Sequence, residues 1–146
     1  MVWGPEVAHD LHLGFDFSSI VRYTMKTVLI VDDEKNLRLL YEQELLDEGY
    51  RVLIAEDGEQ ALDRIQQEQI DLAILDIKMK GMNGIETLKQ IMEVNKDIKV
   101  ILNSAYSSYK ADFSTWSADA YLIKSSNLNE LKGKVAELLE IKEHSR

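Results

Sequence analysis

The chain of 146 residues contains no cysteine. Disulfides, thiol nucleophiles and cysteine-ligated zinc are therefore excluded, and the redox compartment is left open. It has a single proline, Pro5, and seven glycines. No apolar run approaches the roughly 20 residues needed to span a bilayer. The opening MVWGPEVAHDLHLG has no basic stretch followed by an uninterrupted apolar one. A secretory signal is therefore not expected, no membrane insertion is expected, and a cytoplasmic location is the default. Basic residues are also in short supply, 17 Lys and Arg against 26 Asp and Glu, for a net charge of −9. That balance disfavours direct nucleic-acid binding, which depends on clustered cations. It suits binding of cations or of basic patches on other proteins.

What is present is an ordinary globular balance, 45% hydrophobic and 29% charged, in a length that suits one domain with one core. Residues 1–25 lack a sustained period and read as a leader or N-terminal arm, non-native or disordered, with Met25 as the natural start. From Lys26 to residue 142 the pattern is regular, and residues 143–146 read as a tail. Five short apolar runs, Val28–Val31, Val52–Ile54, Leu72–Leu75, Val100–Leu102 and Ala120–Ile123, predict strands buried on both faces. Between them lie helical spacings: Leu37, Leu40, Tyr41 and Leu45; Ala61, Leu62 and Ile65; Ile85, Leu88 and Met92; Leu128, Leu131, Val135 and Leu138. A further, less patterned helix is expected around Ser107–Trp116. Asp57 with Gln60, Asn83 with Glu86 and Asn127 with Glu130 have capping-box spacing, and Gly49 suits a helix stop. Alternating strands and helices predict an α/β fold, a doubly wound five-stranded parallel sheet in the order 2-1-3-4-5, with helices on both faces.

In such a sheet, ligands sit beyond the carboxyl ends of the central strands. Asp32 and Asp33 follow the first strand, Asp76 ends the third, Asn103 and Ser104 follow the fourth, and Lys124 ends the fifth. Three carboxylates, a hydroxyl and an ammonium thus gather on one rim. Clustered carboxylates repel, and a hard divalent ion such as Mg²⁺ relieves the repulsion while binding phosphate oxygens. One carboxylate can attack phosphorus to give an aspartyl phosphate, with Lys124, Ser104 and backbone N–H groups stabilising the transferring group. Singly, each residue has an ordinary reading. Asp33 could cap a helix, Asp76 could open a turn, Ser104 could be a loop hydroxyl and Lys124 a solvated charge. Their placement on one rim carries the specificity.

The segments VLIVDDEKNLRLLYEQELLDEGY, LAILDIKMKGMNGIE, VILNSAY and DAYLIK, in this order, resemble the receiver domain of two-component response regulators from about Lys26 to Ile141. With no output domain following, the chain most resembles single-domain regulators of phosphorelays and chemotaxis. The resemblance implies a flavodoxin-like three-layer sandwich with Asp76 as phosphoacceptor. It implies Mg²⁺ (or Mn²⁺) held by Asp33 and Asp76, by Asp32 through water, and by the backbone carbonyl of Lys78. It makes Ser104 the switch hydroxyl, Ala105 a phosphoryl-contacting backbone position, Lys124 the phosphoryl partner and Tyr121 the rotameric reporter. The implied partners are a sensor histidine kinase or histidine phosphotransfer protein and a downstream protein; a homodimer is left open. The domain would catalyse its own phosphorylation and slow hydrolysis.

Three departures stand out. Ser125 replaces the proline that usually follows the lysine through a cis bond, and a retained cis bond is expected here despite its cost of about 3 kcal/mol. Lys80 replaces a common proline, and Lys78 and Lys80 add charge expected to alter autodephosphorylation. Ser104 and Lys124 are 20 positions apart, slightly fewer than usual, so the fourth helix is expected to be short or irregular. Two alternatives follow from the same residues. One is a phosphorylation-independent interaction module on the same fold. The other is a haloacid-dehalogenase-type phosphohydrolase, although Lys35 stands where a DxD motif would need its second carboxylate.

Overall fold

A computed structural model describes residues 25–144, so almost all of the expected leader lies outside the described residues. Five strands form the sheet: β1 (Thr27–Val31), β2 (Arg51–Ala55), β3 (Leu72–Leu75), β4 (Lys99–Ser104) and β5 (Ala120–Ile123). All neighbouring pairs are parallel, in the order β2-β1-β3-β4-β5. The α-helices are α1 (Lys35–Asp47), α2 (Gly58–Gln67), α3 (Gly84–Val94) and α4 (Asn129–His144).

The apolar runs become strands because both of their faces are covered. Along β1, Val28 and Ile30 join one core with Tyr41 and Leu45 of α1 and with Leu131 and Val135 of α4. Leu29 and Val31 join the opposite core with Ala61, Ile65, Leu88 and Ile91 of α2 and α3. Each fully buried Leu, Ile or Val contributes about 1.5–3 kcal/mol. β2 departs from the expectation of burial on both faces: its first four residues are only partly buried, as its edge position dictates.

Helix ends follow the side chains that satisfy them. Asp57 and Asn83 accept the amides of Gln60 and Glu86 at 2.8 and 2.9 Å. Asn127 instead accepts the amide of Asn129, so it braces the turn ahead of α4 rather than reaching Glu130. Gly49, at φ +96°, ends α1. Its N–H bonds Leu46 O and that of Tyr50 bonds Leu45 O, the paired closure of a left-handed C′ residue.

One expectation is met and two are corrected. The fourth helix, expected to be short or irregular around Ser107–Trp116, is a 3-10 helix over Lys110–Trp116 whose Phe113 and Trp116 pack against the core. On α1, Leu40 is exposed and Arg38 is buried in its stead. No described peptide bond is cis, including Lys124–Ser125. Without proline the trans form is favoured by several kcal/mol, and Lys124 reaches the rim from it.

Candidate functional site

The rim residues sit where the ladder ends. Asp32 follows β1, and its amide still bonds Ala55 O at 3.2 Å; Asp76 follows β3, and its amide bonds Val31 O at 2.9 Å. Asn103 and Ser104 are the last residues of β4 rather than residues beyond it. Lys124 comes directly after β5, its amide on Ser104 O at 2.7 Å. Backbone pairing thus fixes the points from which the side chains project.

Carboxylate oxygens of Asp32, Asp33 and Asp76 lie within 4.8 Å of one another. Asp32 and Asp76 are buried and Asp33 is exposed, so the cluster opens on the Asp33 side. The Lys124 ammonium lies 2.9 Å from Asp32 Oδ2 and 3.3 Å from Asp76 Oδ2. One cation among three carboxylates leaves net negative charge. The Asp76 carboxyl registers it: burial first, then the neighbouring Asp32 charge, push its pKa up to about 6 against the opposing pull of Lys124. Burial pulls the Lys124 ammonium down, but its bond to Asp32 and the charges of both aspartates outweigh this and raise it. Hard oxygen donors with unneutralised charge are the donor set that suits magnesium.

Asp32 is held on several sides. Its Oδ1 accepts the Glu34 amide at 2.9 Å, and its carbonyl accepts a buried bond from Arg38 Nη1 at 2.7 Å. Beneath Asp76, Gly84 donates its N–H to Ile77 O at 2.8 Å. A Cβ there would stand 2.1 Å from the Asp76 carbonyl oxygen, so the loop after Asp76 closes in this form only over glycine.

The Ser104 hydroxyl is buried, and its Oγ accepts the Tyr106 amide at 3.1 Å. Tyr121 is buried, with its hydroxyl donating to the Tyr106 carbonyl and its ring 6.2 Å from that of Phe113. Lys78 is exposed two residues past Asp76, and its ammonium stands 5.0 Å from the centre of the Tyr106 ring. Lys78, Lys80, Gly81 and Tyr109 line an open cleft that includes Asp33. Ala105, exposed, follows Ser104. The structure thus gathers the oxygens of Asp32, Asp33 and Asp76 with the Lys124 ammonium, while Ser104 and Ala105 stand at the end of the adjacent strand β4 and Tyr121 lies within β5. Sequence reasoning missed Tyr106, which touches the surroundings of Ser104, Tyr121 and Lys78 alike; an aromatic two residues past the β4 hydroxyl was the available signal. It also missed Arg38 and Gly84.

The family profile of the response regulator receiver domain matches residues 28–136. The chain belongs to the response regulator receiver family. It is 34% identical over 117 residues to sporulation initiation phosphotransferase F of Bacillus subtilis, covering 79% of this chain and 94% of that protein. It is 37% identical over 114 residues to transcriptional regulatory protein ZraR of Klebsiella oxytoca, covering 77% of this chain but only 26% of that longer protein. Among solved structures, TrrA of Thermotoga maritima in complex with Mg²⁺-BeF is similar at 49% identity and a TM-score of 0.74, over 78% of this chain and 99% of that one. TrrA in complex with the histidine kinase ThkA is similar at 50% identity and a TM-score of 0.73, over 79% and 99% of the two chains. This receiver has the five-stranded order of that fold, and its acidic cluster is consistent with Mg²⁺ binding. No helix among its described residues is long and apolar enough to cross a membrane.

Proposed function

We propose that this receiver takes a phosphoryl group onto Asp76 from a histidine kinase or histidine phosphotransfer protein and signals by protein–protein contact or onward phosphotransfer. The carrying observation is the convergence of the Asp32, Asp33 and Asp76 oxygens within 4.8 Å, with Lys124 2.9 and 3.3 Å from two of them. An Asp76 carboxylate oxygen attacks the donor phosphorus. The new O–P bond forms as the bond to the donor's imidazole nitrogen breaks; the electron pair leaves with the imidazole, which takes up a proton. Lys124 faces Asp76 and stabilises charge on the phosphoryl oxygens. The Ser104 hydroxyl and the backbone at Ala105 are the further contacts to that group, and Tyr121 is the buried aromatic whose position would follow Ser104. Hydrolysis by water restores the carboxylate and releases phosphate.

The metal would be held by Asp33 and Asp76, by Asp32 through water, and by the Lys78 carbonyl. Bound Mg²⁺ (or Mn²⁺) neutralises the charge that three carboxylates and a phosphoryl group bring together. The ThkA–TrrA complex supports a kinase partner, and such an exchange suits a cytoplasmic setting. Residues 26–142 are the proposed receiver body, residues 1–25 a leader or arm and residues 143–146 a tail; a homodimer is a further partner state for the same surface chemistry.

The test is incubation of the full chain with acetyl phosphate and Mg²⁺, followed by intact-mass measurement. One phosphoryl adduct is expected, absent in Asp76→Asn. Wild-type protein that never gains an adduct, with any donor, would overturn the reading in favour of an interaction module.

A further inference from the structure

Helix α1 carries two buried polar side chains on its inner face. Arg38 and Tyr41 are three residues apart and so share that face. Arg38 Nη1 donates to the Asp32 carbonyl at 2.7 Å, while Nη2 lies 3.7 Å from the exposed Glu56 carboxylate. Tyr41 Oη accepts from Asn103 Nδ2 at 3.0 Å. Asp32 closes β1, and Asn103 precedes Ser104 at the end of β4. In the sheet order, β1 and β4 are the two neighbours of β3, the strand that carries Asp76. One helix therefore bonds to the strand ends on both sides of the acceptor.

Cohesion does not require this. The rest of the α1 face packs through Leu45 and the partly buried Leu37, and the helix lies mainly on β2 and β1. Buried guanidinium and amide groups are costly to desolvate, and apolar replacements of similar volume are often neutral or stabilising. What hydrogen bonds add is direction. They fix where the Asp32 carbonyl and the Asn103 amide stand, and through them the adjoining Asp33 and Ser104.

We propose that Arg38 and Tyr41 are positioning residues, with α1 bracing the two strand ends that flank Asp76. Arg38 sets the Asp32–Asp33 turn for the metal. Tyr41, acting through Asn103, sets the Ser104 end of β4 for the phosphoryl group. The phosphoryl half rests on the receiver reading above, while the metal half does not.

The two arms have separable readouts. In the full chain, Arg38→Met should weaken Mg²⁺ binding by about tenfold, the low end for partners that orient ligands, as read by calorimetric titration. Arg38→Lys should recover most of that loss, and saturating Mg²⁺ should restore the phosphorylation rate of Arg38→Met. Tyr41→Phe should leave Mg²⁺ affinity unchanged but alter the acetyl phosphate rate at saturating Mg²⁺ by about threefold, a modest coupling. It should also shift the Ser104 and Ala105 amide resonances. Variants that change only the melting temperature, an Arg38→Met rate that saturating Mg²⁺ does not restore, or a Tyr41→Phe that loses Mg²⁺ affinity would overturn the brace. Should Arg38→Met not fold, Arg38→Gln takes its place. Wild-type protein without an adduct would sink the receiver reading alone; the Mg²⁺ titration and the amide shifts still decide the brace.

Discussion

At the scale of single residues, the site is a balance of charge around Asp76 and a screen across its mouth. Lys78 belongs to the screen. Its ammonium stands over the Tyr106 ring, and its side chain borders the cleft beside Asp33. An exposed cation–π contact is worth about 0.5–1 kcal/mol. Lys78→Ala removes that contact and opens the cleft to water. The phosphoryl half-life on Asp76, followed by intact mass after donor removal, should fall about two- to fivefold, the factor matching that energy. Equal half-lives would remove Lys78 from the control of hydrolysis.

At the scale of elements, the site depends on how the loop after β3 turns into α3. Gly84 opens that helix, and its missing Cβ leaves room for the Asp76 carbonyl. Gly84→Ala would ordinarily favour a helix by up to about 1 kcal/mol. Here a methyl group 2.1 Å from a backbone oxygen must push the loop away. The variant should lose stability and phosphorylate slowly, as seen by comparing denaturant midpoints with adduct formation. A stabilised, fully active variant would contradict the packing described.

Elements also show how much was legible beforehand. β1, β3 and β4 were plain because burial on both faces leaves an unbroken apolar run. The rim was plain because strand alternation alone delivers Asp32, Asp33, Asp76, Ser104 and Lys124 to one end. The inner face of α1 was misjudged: a helical stripe counts apolar residues, and nothing local says that Arg38 has an Asp32 carbonyl to meet while Leu40 faces solvent. The 3-10 segment was legible only as a short or irregular helix, because its geometry follows from the distance between β4 and β5 more than from its own residues. Tyr106 escaped because its contacts come from three separate parts of the chain.

At the scale of the whole molecule, the acidic pocket works against folding when Lys124 is its one cation among the described residues and no metal ion is bound. Asp76 titrates near 3.8 in an unfolded chain and near 6 in the folded one. Between those values the folded state binds more protons, so this group's contribution to stability is full below about pH 4 and is lost as pH rises through about 6. In chelator, Asp76→Asn should therefore be the more stable protein at pH 8, by roughly 3 kcal/mol, with the advantage vanishing near pH 4. Thermal melts across pH would show it, and an advantage that grew toward low pH would contradict the assignment. Magnesium should raise the wild-type melting temperature at pH 8 as its concentration exceeds Kd, and do so much less in Asp76→Asn.

The amides of Asp32 and Asp76 remain within the sheet's hydrogen bonding although their carboxylates serve the rim. Chemistry here is therefore anchored to the part of the chain that should exchange its hydrogens most slowly. An acyl phosphate formed at Asp76, as proposed, would have little freedom to be absorbed by yielding of its own backbone. The disturbance has to be taken up sideways, by neighbouring strands and the loops above them, and a small local charge becomes a mechanical load on the rest of the rim.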